Sequence, residues 1–277
     1  MLTSVALLAL LVWAYLIFLH HGFWRGDQRL PPTLPPPPAW PSVTAIVPAR
    51  NEAETIARVV TALTTQDYLG ALRVIVVDDA STDGTATLAR NAGMPAHQLD
   101  VITAPPLAAG WTGKLWALNT GLMHIAREPS DYVWFTDADV VHPPGTLAHL
   151  VSKAVGDRRD LVSLMVRLRC ESFWERYLIP AFIFFFQMLY PFRAANDDRS
   201  RVAAAAGGCV LLRHEALVKA GGLVSIRGRI IDDCALAAAV KGAGGRIWLG
   251  LADASRSLRR ADHLAPLWGM VRRTAFT

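Results

Sequence analysis

Acidic side chains recur in pairs along this chain, and their spacing narrows the chemistry they can do. In YVWFTDADVVHPPG, residues 132–145, an apolar run ends in Asp137 and Asp139, separated by one alanine. VIVVDDASTDGT sets Asp78 and Asp79 after another apolar run, and VTAIVPARNEAE sets Pro48, Arg50, Asn51 and Glu52 after a third. In an Asp-x-Asp, one carboxylate can reach a divalent cation while the other holds a bound water or a hydroxyl. Magnesium and manganese favour a few hard oxygens, keep several waters and complete their shell with substrate phosphates. An anionic diphosphate would supply the missing oxygens. Each cluster also has a plainer reading, with Asp137 capping a turn and Ser81, Thr82 or Asp83 capping the helix that follows. Their occurrence at three strand ends favours one shared crevice.

Two further features join this set. Lys114 in GWTGKLWALNTG stands where a helix begins, so its ammonium and nearby backbone N–H groups could bind phosphate. It is not a P-loop, because Leu115 follows the lysine and the glycine spacing is absent. Asp232 and Asp233 in RIIDDCALAAAV can cap a helix, or one of them can act as a general base toward an acceptor hydroxyl.

The elements that must position these residues follow from hydrophobic periodicity. Short apolar runs at 43–47, 73–77, 100–103 and 132–136 alternate with helix-like segments at 54–64, 82–91 and 112–126. That alternation predicts βαβ units, an α/β domain with a mostly parallel sheet flanked by helices. Ligands of such sheets gather outside the carboxyl ends of the strands, where the acids lie. Pro143 and Pro144 suit the start of another helix. Helices are expected at 214–220 and 233–241 and a strand over RIWLG.

The chain has 277 residues, 52% of them hydrophobic and only 18% charged, enough for a substantial core and unlike a disordered tail. Its net charge of +5 is conspicuous near both ends, as Arg25 and Arg29, then Arg256, Arg259, Arg260, Arg272 and Arg273. Anionic lipid or a phosphorylated ligand explains that charge as well as nucleic acid does. Cys170, Cys209 and Cys234 form neither a disulfide framework nor a zinc pattern, which favours a reducing compartment.

Residues 2–19 carry no charge and would reach roughly 27 Å as a helix, close to the hydrocarbon thickness of a bilayer. Bases follow this run rather than precede it, so an uncleaved transmembrane anchor over 1–22 is expected, with the domain facing the cytoplasm from the inner membrane. A proline-rich linker over 23–42 would then be a stiff spacer to a catalytic domain at 43–255. The apolar segment 172–192, interrupted by Pro180 and Gln187, reads as membrane-interfacial or as a buried helix. A basic segment, 256–277, ends without a capping or turn signal, and the sequence leaves open whether further transmembrane helices follow it.

Taken together, PARNE at 48–52, VVDDASTDGT at 76–85, GKLWALN at 113–119, DAD at 137–139, GGCVLLR at 207–213 and DDCAL at 232–236 resemble the inverting, metal-dependent glycosyltransferases of family 2, with the GT-A fold. The order matches across about 43–250. Within that family the ends and the 172–192 segment are most similar to bacterial hopene-associated glycosyltransferases, and more distantly to ceramide glucosyltransferases. The resemblance implies that Pro48, Arg50, Glu52, Asp78, Asp79, Lys114 and Asp137 bind the nucleotide sugar, a UDP-sugar, and that Asp139 holds Mn2+ or Mg2+. It implies Asp233 as catalytic base with Asp232 beside it, and Gly207, Gly208 and Arg273 on the acceptor or product side. Relatives often carry Gln/Arg-x-x-Arg-Trp there, and in MVRRT only Arg273 matches, which argues against a processive polymer synthase.

The expected partners are a nucleotide-sugar donor, a lipid acceptor such as a hopanoid, and the membrane, with no nucleic acid. A polyprenyl-phosphate acceptor and a non-catalytic membrane-anchored nucleotide- or lipid-binding protein are the alternatives. A nucleotidyltransferase is disfavoured by the lack of a glycine-rich pyrophosphate loop near the first strand.

Overall fold

The structure, a computed structural model, describes residues 2–92, 98–229 and 231–275, with side chains through residue 272. Eight strands form one sheet: β1 (Val43–Ala49), β2 (Leu72–Asp78), β3 (Leu99–Thr103), β4 (Tyr132–Thr136), β5 (Val140–Val141), β6 (Leu161–Arg167), β7 (Cys209–Arg213) and β8 (Ile247–Ser257). Their order across the sheet is β3-β2-β1-β4-β7-β6-β8-β5. β1 to β4 are mutually parallel, β7 is antiparallel to both neighbours, and β6 and β8 are parallel to each other. The expected mostly parallel α/β sheet is present, with β7 and the short β5 as its departures.

Alternation along the strands builds two cores. Ala45 and Val47 of β1, Val74 and Val76 of β2, and Tyr132 and Trp134 of β4 pack on one face. Ile46, Ile75, Val77, Val133 and Phe135 pack on the other. Successive side chains of a strand point to opposite faces, and strands covered on both sides read as continuous apolar runs. The helices are α1 (Leu2–Phe18), α2 (Ile56–Thr64), α3 (Thr85–Ala92), α4 (Gly113–His124), α5 (Thr146–Gly156), α6 (Phe173–Leu189), α7 (Phe192–Asn196), α8 (His214–Lys219), α9 (Asp232–Gly242) and α10 (Leu264–Ala275). Apolar stripes of α2 and α5 cover the first face, and α4, α8 and α9 the second. Because β1, β2 and β4 run the same way, their acidic carboxyl ends lie at one edge of the domain.

The transmembrane expectation is corrected: among the described residues no helix is long and apolar enough to cross a membrane. α1 stops at Phe18 after 17 residues, roughly 25 Å at 1.5 Å per residue. His21 and Gly22 then take left-handed φ angles of 54° and 59°, which turn the chain back. The turn brings His20 Nε2 to 2.8 Å from the Met188 carbonyl and the Phe23 ring edge-on to Phe184, both on α6. The segment expected to be a spacer is laid against the domain at both ends. Leu251 donates to the Gln28 carbonyl at 2.7 Å, and the Trp40 ring packs at right angles to Tyr68.

α6 continues through Pro180 as one helix of 17 residues. Its start is a full capping box, with Ser172 Oγ accepting from Glu175 N and the Glu175 carboxylate accepting from Ser172 N. Pro180 removes one intrahelical bond, that to the Arg176 carbonyl, and Arg176 is an exposed residue. Only Glu175 and Ile179 of α6 are buried, so the helix lies on the surface with Phe173, Tyr177, Phe185 and Leu189 outward.

Candidate active site

The carboxyl ends of β1, β2 and β4 frame a cavity of about 890 Å³. Two loops set its first wall. After β1, Asn51 N donates to Ser81 Oγ at 3.0 Å and Asn51 Oδ1 accepts from Thr82 N at 2.9 Å. Glu52 N donates to Thr85 Oγ1 and Ala53 N to the Asp83 carboxylate. Asn51 and Ala80 hold positive φ angles of 55° and 53°, a conformation that costs a Cβ-bearing residue energy and turns both loops sharply at the strand ends. These bonds fix Arg50 and Glu52 relative to Asp79.

Three bases of the cavity are each paired with its acids. Arg50 reaches Asp79 at 3.2 Å and Lys114 reaches Asp137 at 2.7 Å. Arg259 bridges two acids, with Nη2 at 2.5 Å from Glu52 Oε1 and Nε at 3.2 Å from Asp139 Oδ2. Ser257 Oγ donates to the same Asp139 oxygen at 2.6 Å, and Leu258 N donates to the Asp139 carbonyl at 2.7 Å. Gly113, the first residue of α4, lets the helix approach Asp79; a Cβ there would stand 2.9 Å from Asp79 Oδ2. Thr112 caps that helix by accepting from Leu115 N, which sets Lys114 in the first turn.

At the back of the site, Gly207 N donates to Asp233 Oδ2 and Cys234 N to Asp233 Oδ1, both at 2.8 Å. A Cβ on Gly207 would stand 3.0 Å from Lys114 Nζ and 3.4 Å from Asp233 Oδ2, so ammonium and carboxylate converge on this glycine. Burial pushes the Asp233 carboxyl up to about 6, with the Asp232 charge adding to it and Lys114 opposing. Burial also raises Asp137, against the pull of Lys114. It raises Glu52 too, with Arg259 opposing and Asp139 contributing. Burial alone would lower Lys114, but Asp137, Asp232 and Asp233 outweigh it and raise it, so the amine stays an ammonium.

Of the residues expected from sequence, Pro48, Arg50, Glu52, Asp79, Lys114, Asp137, Asp139 and Asp232 line the cavity. Asp233, Asp78, Gly207 and Gly208 are not among its lining residues. Asp78 is buried at the end of β2, accepts from Ser81 N, and its Oδ1 has no hydrogen-bond partner among the described residues. Gly208 packs against Val140 and Val166, where a Cβ would stand 3.4 Å and 3.0 Å from their methyls. Arg273 belongs to α10, but its side chain lies outside the described residues.

Sequence reasoning missed Ser257, Arg259, Arg169 and Glu175, all of which line the cavity. Arg259 stood only in a basic stretch. One signal existed: an arginine that follows a strand returning to the Asp-x-Asp, which becomes visible only once β8 is known to pair with β5. The α6 and α10 region adds an apolar part to the lining, made by Leu168, Ile179, Pro266, Leu267 and Met270.

As a cation site, Asp139 offers a hard carboxylate oxygen on the cavity wall with Glu52 joined to it through Arg259. Among the described residues no three His, Cys, Asp or Glu side chains form a metal cage. One or two carboxylates, completed by water and a ligand's phosphates, match the coordination of Mg2+ or Mn2+.

Residues 44–221 match the description of glycosyl transferase family 2, covering more than half of the chain. The chain belongs to this family. The family 2 chain is 28% identical over 210 residues to an N-acetylglucosaminyltransferase of Mesorhizobium japonicum, covering 71% of this chain and 46% of the relative. It is 28% identical over 173 residues to a beta-monoglucosyldiacylglycerol synthase of Synechocystis, covering 53% of this chain and 35% of the relative. It therefore spans about half the length, or less, of these curated relatives. A mannosyltransferase from Pyrobaculum calidifontis, solved with GDP-Man and Mn2+, superposes with a TM-score of 0.66 at 26% identity, covering 95% of this chain and 73% of that one. The fold is GT-A-like.

Proposed function

We propose that this family 2 domain transfers a sugar, with inversion, from a nucleotide-sugar donor to a hydroxyl of a membrane lipid. The observation that carries the reading is the convergence of acids from three parallel strand ends, with Lys114 and Asp232, on one cavity. The nucleoside and diphosphate lie across Pro48, Arg50, Glu52, Asp79, Lys114 and Asp137, and the donor is a UDP-sugar. A divalent ion at Asp139 would supply positive charge to the departing diphosphate. Asp233 takes the proton of the acceptor hydroxyl, and its raised pKa makes it a stronger base than an ordinary aspartate. Burial keeps that pKa high, and the charge of Asp232 adds to it. A second assignment exchanges the two acids, because Asp232 is the one on the cavity wall.

The acceptor side is supported by the apolar wall and by α1, whose residues are exposed or nearly so around the whole helix. A helix apolar all round has no solvated face and calls for a partner outside the described chain. We assign lipid to it, on the cytoplasmic surface of the inner membrane, with α6 beside it and a hopanoid as the acceptor type. The diacylglycerol named for one relative supports a lipid acceptor in general.

Thermal shift of the full chain with UDP- and GDP-sugars, each with and without Mn2+, tests donor and ion together. A rise in Tm with one nucleotide sugar that grows with Mn2+ is expected, as ligand linkage requires. Labelled transfer from that donor into hopanoid, diacylglycerol or polyprenyl phosphate then names the acceptor. No stabilisation by any nucleotide sugar would sink the donor reading.

A further inference from the structure

Arg259 is the cation at the Asp139 carboxylate. Its backbone is pinned: Arg259 N donates to Ser257 Oγ, which in turn donates to Asp139 Oδ2, and Leu258 N holds the Asp139 carbonyl. Its side chain is not pinned in the same way, because it is 64% exposed and rests on two acids rather than in a closed pocket. Asp139 Oδ2 already accepts from two donors, Ser257 Oγ and Arg259 Nε. A divalent ion on the same carboxylate and the Arg259 guanidinium would repel each other at short range. A guanidinium released there still lines the cavity, among Arg50 and Lys114, and its planar fork matches phosphate oxygens.

We propose that Arg259 is a latch on Asp139 and Glu52 that a divalent cation displaces and that then closes on the diphosphate of the donor. The latch rests on the donor and ion reading given above. The same arginine serves the two acids as counter-charge and the leaving group as donor. Arg259 is thus a binding residue for the diphosphate, and Ser257 is a positioning residue that holds the Asp139 oxygen in place throughout.

The test uses the full chain and its Arg259→Gln and Arg259→Lys variants, with MnCl2, UDP, GDP and UMP as probes. Mn2+ is titrated alone by water proton relaxation, and the nucleotides by calorimetry at saturating Mn2+. Arg259→Gln should bind Mn2+ about threefold more tightly than the wild type, since an exposed ion pair no longer competes. It should bind the better nucleoside diphosphate about tenfold more weakly, the worth of charge-assisted bonds. UMP affinity should stay unchanged, and Arg259→Lys should fall between. Wild-type Mn2+ affinity in Arg259→Gln, or an undiminished hold on UDP and GDP, overturns the latch while leaving the donor reading intact. A wild-type chain that binds Mn2+ but neither nucleoside diphosphate removes both.

Discussion

Asp233 and Glu175 are two carboxylates whose titrations run in opposite senses, and the difference fits the tasks proposed for them. Burial first, then Asp232, lifts Asp233 to about 6 from 3.8. The folded value exceeds the unfolded one, so this group lowers stability as pH rises from about 4 to about 6 and stays charged above that. A group held in that state is poised for proton transfer near neutral pH rather than for scaffolding. The rate under kcat/KM conditions should therefore climb along an acid limb centred near pH 6. Asp232→Asn removes the like charge and should move that limb to lower pH, whereas Lys114→Met should move it higher. Asp233→Asn should lose about a thousandfold in kcat, the size of a general base's contribution, and keep nucleotide binding. Should Asp232→Asn prove the inactive variant and Asp233→Asn the active one, the two roles exchange.

At the scale of elements, α6 and the strand β8 complete what the strand ends begin. Glu175 is nearly fully buried and accepts from Glu171 N, Ser172 N and Ala261 N at 2.8 Å each, with Arg169 alongside. It joins the start of α6 to the loop that carries Arg259 and Arg260. Burial alone would raise its pKa, but these donors outweigh it and hold it at about 2 against an ordinary 4.5. Its contribution is complete above pH 4.5 and is lost as pH falls toward 2. Glu175→Ala should cost about 3 kcal/mol in urea unfolding, because it strands three backbone donors and an arginine. Much of the acid dip in stability below pH 4.5 should vanish with it; an unchanged midpoint would show that the loop does not depend on this side chain.

The strand-end acids were legible because a parallel sheet turns local sequence into position: each apolar run announces where its carboxylates will point. Glu175, Ser257 and Arg259 were not, since the contacts that bring them to the site, with Ala261, Asp139 and Glu52, span between 86 and 207 residues of chain. The continuity of α6 through Pro180 was not legible, because the loss of one intrahelical bond does not by itself decide whether a helix ends at a proline.

For the whole molecule, the apolar surface is concentrated on one set of elements. α1 and α6, joined through His20 and Phe23, expose Leu8, Trp13, Phe18, Trp24, Phe173, Tyr177 and Phe185, and Arg25 and Arg176 are exposed within the same segments. Aromatic and apolar side chains mixed with bases suit an anionic lipid interface. Vesicles of phosphatidylglycerol and phosphatidylethanolamine should carry the full chain down on sedimentation, while a variant lacking residues 1–22 should remain largely in the supernatant. Equal recovery of both in the supernatant would refute the assignment.

The pairing of β5 with β8 reaches further than the site. β5 follows Asp139 directly, yet it hydrogen-bonds at the far edge of the sheet, with Val140 opposite Ser257. Three residues, Asp137, Ala138 and Asp139, therefore span from a central strand to an outer one, and the sheet's two halves are buckled together across this pair of acids. The peptide hydrogen of Leu258, donated to the Asp139 carbonyl, exchanges with solvent only when that buckle opens. Its exchange clock counts openings of the site itself, and a ligand that closes the buckle slows the clock without any chemistry having to occur.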